Sequence, residues 1–129
     1  MKRITLLAVF AMMLAALVAC GGSSSANTST ASNYTVTMSG VTFSVNSITI
    51  PKGSTITFTT DQGGSAHNLV NGSNGQAHPE SGAPDFGSGG HTVGAGQSWT
   101  TSPWNTAGTF HVTCTYHPTT MTLTVTVTG

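Results

Sequence analysis

Eight consecutive residues near the C-terminus, Cys114-Thr115-Tyr116-His117-Pro118-Thr119-Thr120-Met121, carry a thiol, an imidazole and a thioether. A second imidazole lies upstream, in His67-Asn68-Leu69-Val70. Thiolate and imidazole are good ligands for first-row transition metals, and a thioether adds a weak, long bond to a soft ion. Two imidazoles and one thiolate in a plane, with methionine on the axis, form the donor set in which copper exchanges single electrons. Hydrolytic chemistry has no comparable support. Asp61, Glu80 and Asp85 are far apart in sequence, show no acid–base pairing, and read as solvated charges. One cluster in one domain does not offer the further copper sites that nitrite reduction or oxidase activity would need, so no enzyme is expected.

For these donors to meet, Cys114 must end a strand on its inward face. Thr109 to Cys114 alternates so that Phe110, Val112 and Cys114 share the apolar side, and His111 faces outward. Met121, Leu123, Val125 and Val127 alternate with Thr122, Thr124, Thr126 and Thr128. Met121 therefore opens the returning strand on the apolar face, with a tight loop carrying His117 above it. Further strands are predicted at Tyr34–Met38, Thr42–Val45, Ser47–Ile50, Thr55–Thr60, Ala66–Val70 and Gln97–Thr101. Pro51-Lys52-Gly53-Ser54 has the composition of a turn. Seven or eight short strands predict an all-β Greek-key sandwich or barrel, which can bring His67 in from a neighbouring strand end.

With these segments in order, the chain from about Tyr34 onwards resembles the cupredoxins, small blue copper proteins of the plastocyanin, pseudoazurin and amicyanin group. The resemblance rests on Ile48-Thr49-Ile50-Pro51-Lys52-Gly53-Ser54, the strand Thr55 to Thr60, and His67-Asn68-Leu69-Val70. It continues through Ala107-Gly108-Thr109-Phe110 and the Cys-x-x-His motif followed by Met121. It implies one copper ion, with His67, Cys114 and His117 as equatorial ligands and Met121 as the axial one. It also implies that Asn68 ties the ligand loops together, that His117 is the electron port, and that Pro118 stiffens the loop beside it. Three residues separate His117 from Met121. That spacing falls between the two of amicyanin-like loops and the four of plastocyanin-like ones.

The N-terminus reads as an address. Met1-Lys2-Arg3 is basic, and Ile4 to Val18 is apolar apart from Thr5. This run is shorter than the roughly 20 residues of a membrane span and fits a signal peptide. Leu17-Val18-Ala19-Cys20 resembles the lipobox of bacterial lipoproteins, which implies cleavage after Ala19 and lipidation of Cys20. The expected organisation is a signal peptide over 1–19, a lipidated Cys20 with a Gly/Ser/Thr tether over 20–32, and a copper-binding domain over 33–129. The protein is then exported and lipid-anchored on the extracytoplasmic side of a membrane. Cys114 is left as a lone exported thiol, which favours a ligand role. Without the leader, Lys52 is the single cation against three carboxylates, which excludes nucleic-acid binding.

The expected function is one-electron transfer between extracytoplasmic redox partner proteins, by a monomeric domain. The alternative is copper trafficking or buffering with the same ligands. Trp99, Trp104 and Phe58 are expected in the core, and His78 and His91 are weaker candidates for a second metal site. Asn71 to Gly90 is rich in glycine, has Phe86 as its one large apolar residue, and reads as a long loop with no assigned role.

Overall fold

A computed structural model describes residues 29–129. The expected signal peptide (1–19), Cys20 and most of the tether lie outside the described residues. Ten strands run in the order β1 (Asn33–Ser39), β2 (Thr42–Phe43), β3 (Ser47–Pro51), β4 (Thr55–Thr60), β5 (His67–Ser73), β6 (Gln76–Ala77), β7 (His91–Val93), β8 (Ser98–Thr100), β9 (Gly108–Cys114) and β10 (Thr122–Thr128). They form two sheets, and the described residues contain no helix. One sheet has the order β2-β1-β4-β8; the other has β3-β10-β9-β5-β6, with β7 paired to β5. This is the all-β sandwich that the alternation predicts.

Crossing between sheets sets the topology. β1 pairs in parallel with β4, and β3 crosses to the other sheet to pair in parallel with β10. The Pro51–Ser54 turn lies between β3 and β4, closed by Ser54 N–H donating to Pro51 O at 3.1 Å. Gly53 there has φ 85°, the left-handed conformation that glycine adopts without steric cost. Period-2 alternation buries Val36 and Met38 of β1, Ile56 and Phe58 of β4, Phe110, Val112 and Cys114 of β9, and Leu123, Val125 and Val127 of β10. Their opposed rows make one core, in which Met121 and Trp104 are also fully buried.

Two expectations need correction. Asn71 to Gly90 is not a continuous loop: β5 runs on to Ser73 and forms a hairpin with β6 through the Asn74-Gly75 turn. Phe86 is buried and packs its ring against Phe58 and Trp99. Glu80 is not a freely solvated charge, because its carboxylate accepts from His111 N–H at 2.6 Å and lies 2.8 Å from His111 Nδ1. The sequence reading also missed β7, which is only three residues long and follows two glycines. Period 2 cannot be recognised over so short a run.

Candidate metal centre

The register of the larger sheet builds the site. β5 and β9 are antiparallel, with Leu69 opposite Cys114, so His67 at the start of β5 lies near the end of β9. Cys114 closes β9 on its inward face and is fully buried as a free thiol. The chain then turns tightly. His117 N–H donates to Cys114 O at 3.3 Å, and Met121 N–H donates to His117 O at 3.2 Å. Cys114 N–H donates to Met121 O at 3.1 Å and closes the loop. The loop thus satisfies much of its backbone internally and holds its side chains on a rigid frame.

His67, Cys114 and His117 converge. Cys114 Sγ lies 3.8 Å from His67 Nδ1 and 3.6 Å from His117 Nδ1. One donor atom from each falls within 4.8 Å of the others. A first-row ion with bonds of about 2.0 Å to nitrogen and about 2.3 Å to sulfur, at trigonal angles, places N and S donors about 3.7 Å apart. The cluster has that spacing, so the residues present fit such an ion. The two imidazole rings are tilted, with centroids 5.1 Å apart. Met121 is fully buried in the same core cluster as Cys114.

Electrostatics favour a neutral imidazole at His67. His67 is fully buried, and burial pushes its pKa below the ordinary histidine value of 6.5, with a further push from the neighbouring His117. A neutral imidazole has a lone pair to offer a metal. His67 Nε2 is buried with no hydrogen-bond partner in the protein. Nδ1 is then the nitrogen through which this ring meets other polar groups, and it faces the thiol.

Asn68 sits behind this cluster and joins three segments. Its Nδ2 donates to Thr115 Oγ1 in the Cys114–Met121 loop at 3.0 Å and to Gly89 O at 2.9 Å. Its Oδ1 accepts from Thr92 Oγ1 at 3.2 Å. Pro118 is exposed beside the half-buried His117. The structure does not bring His78 and His91 into a metal cluster. The three-residue group above is the one His/Cys/acid cluster of that kind among the described residues. The His91 ring instead stacks on Trp99, with centroids 4.1 Å apart.

A family model for copper-binding proteins of the plastocyanin/azurin family matches residues 17–128. The chain belongs to that family. It is a cupredoxin, and copper is its cofactor. No curated protein sequence matches. Among solved structures, amicyanin from Paracoccus versutus is similar with a TM-score of 0.54 and 19% identity, over 74% of this chain and 81% of that one. An oxidized amicyanin mutant has a TM-score of 0.54 and 20% identity, over 88% of both chains. A purple cupredoxin from Nitrosopumilus maritimus has a TM-score of 0.55 and 18% identity, over 74% of this chain and 99% of that one. At such identities these likenesses speak for the shared fold.

Proposed function

We propose that this cupredoxin is a one-electron carrier whose copper is held by Cys114 Sγ, His67 Nδ1, His117 Nδ1 and the Met121 thioether. The convergence of a buried thiol and two imidazole nitrogens carries this reading. When bound, copper supplies a Cu(I)/Cu(II) couple. The chain's own residues keep the rearrangement between the two states small. Cys114 and His67 are locked in the core, and the loop from Cys114 to Met121 is closed by its own backbone hydrogen bonds. Leu69, Val112 and Leu123 are fully buried in the same core and help keep water from the donors. His117 is the half-buried member of the set, so electrons are expected to pass there. Tyr116, 56% exposed, and Pro118 flank it and offer a partner a weakly charged surface. Asn68 orients the loop through Thr115.

The site residues, redox partners and export belong to the same proposal. The basic start, short apolar run and Leu17-Val18-Ala19-Cys20 support an exported, lipid-anchored protein. The test is Cu(II) addition followed by visible spectroscopy and voltammetry. An intense thiolate-to-copper band with a reversible couple supports the carrier. A protein that binds copper but gives Cu(I) readily to a chelator, without a reversible couple, points to trafficking. A colourless protein without stoichiometric copper overturns both.

A further inference from the structure

We propose that the segment from Asn71 to Gly90 is a brace for the metal centre, with Gly75 and Thr113 as positioning residues that fix Met121 and the loop after His117. This rests on the reading of those residues as ligands. The first observation is Thr113. It alternates with Val112 and Cys114, so it points away from the core, yet it is fully buried. The β5–β6 hairpin covers it. Gly72, with φ 138°, lets the hairpin bend back so closely that a Cβ there would lie 2.1 Å from Gln76 O. Asn74 and Gly75, at φ 53° and 72°, make the turn.

From that turn a directed hydrogen-bond chain reaches the axial residue. Gly75 N–H donates to Thr113 Oγ1 at 2.9 Å, and the Thr113 hydroxyl donates to Met121 O at 2.8 Å. A hydroxyl has one proton, so the Met121 carbonyl is held by Thr113 on one side and by Cys114 N–H on the other. Gly75 also packs against Pro118. A Cβ at position 75 would lie 2.2 Å from Pro118 Cβ and 2.7 Å from its Cα. A side chain at 75 therefore has to displace the residue bonded to His117.

The rest of the segment is pinned at two further points. Glu80 holds the backbone and ring of His111 on the cysteine strand, and Gly89 O accepts from Asn68, next to His67. Thr119 and Thr120 are exposed and give the ligand loop no apolar packing of their own. The hairpin supplies that support from outside.

The test compares the copper-loaded full chain with four variants. Gly75→Ala is expected to shift the thiolate-to-copper band and the reduction potential, and to lower copper affinity about tenfold in competition with a chelator. Gly40→Ala is the control. Gly40 also has a positive φ, 58°, but a Cβ there would meet no atom within 4 Å. It carries the same kind of backbone strain and should leave band, potential and affinity unchanged. Thr113→Val keeps the shape and removes the hydroxyl, so it should move all three readouts as Gly75→Ala does, and Thr113→Ser should restore them. If Gly75→Ala does not fold, Thr113→Val decides. Wild-type band, potential and affinity in Thr113→Val, or a Gly40→Ala shift as large as that of Gly75→Ala, overturn the brace. Wild-type protein that takes up no copper overturns the site reading itself; loaded wild type with unaffected variants overturns the brace alone.

Discussion

The loop from Cys114 to Met121 and the segment from Asn71 to Gly90 both lie beside the metal centre, but they are held in opposite ways. The Cys114–Met121 loop closes on itself through backbone bonds between Cys114, His117 and Met121. The segment has some bonds of its own, such as His78 N–H to Asn71 O, yet its position depends on other elements. Phe86 enters the core, Glu80 grips His111, and Gly75 leans on Pro118. One region is organised locally and carries two of the three converging donor residues, Cys114 and His117. The other is organised by tertiary contact and surrounds them.

The sharpest break in that comparison is chemical. Cys114→Ala should abolish the charge-transfer band and tight copper binding while leaving a folded sandwich, checked by visible and circular dichroism spectra. Removing the buried ring of the outer region should do the reverse. Phe86 is 4% exposed and packs on Phe58 and Trp99. Phe86→Ala should cost about 3–5 kcal/mol in denaturant unfolding. The band should persist in the folded protein. Loss of the band in Phe86→Ala at full copper occupancy would show that the two regions are not separable in this way.

The same contrast explains what could be read from sequence. Met121 to Thr128 and Thr109 to Cys114 alternate cleanly because one face of each strand meets the core, so fold class and the donor cluster were legible together. Seeing Cys114, His117 and Met121 as one unit needed only spacing. Glu80 could not be placed, because its partner His111 is distant in sequence and outward-facing on a strand. The burial of Thr113 was equally hidden, since alternation assigns it to the solvent face and only the folded hairpin covers it. A short Asn-Gly turn between strand-like residues was the available signal for the hairpin, and it was masked by the glycine-rich sequence around it.

A smaller effect tests the Glu80–His111 hydrogen bonds that join the outer segment to the cysteine strand. Glu80 accepts from His111 N–H and meets its ring at 2.8 Å, with side-chain exposures of 25% for Glu80 and 38% for His111. Glu80→Ala should lower stability by about 1.5 kcal/mol in denaturant unfolding, because a charge-assisted bond to the strand backbone is lost. The copper band should change little, since the Glu80 carboxylate bonds to His111 and to neither the loop nor Asn68. An effect on the band larger than that of Gly75→Ala would place the support for the centre at the wrong end of the segment.

The last and smallest effect concerns His67, which starts the strand that leads from the metal centre into the outer hairpin. Burial first, and His117 second, lower its pKa in the fold relative to the usual 6.5. Well above that value the ring is neutral in both folded and unfolded chains, and it adds no pH dependence. As pH falls through about 6.5, the unfolded chain binds a proton that the folded chain refuses, so stability falls on acidification. The slope ends once the pH passes below the lowered pKa of the folded state. Metal-free protein should therefore lose stability as pH drops from neutral through the 6.5 region, measured by urea unfolding at several pH values. His67→Gln, which keeps a buried polar side chain without a titrating ring, should flatten that slope. An unchanged slope in His67→Gln would mean that His67 is not the source of the acid sensitivity.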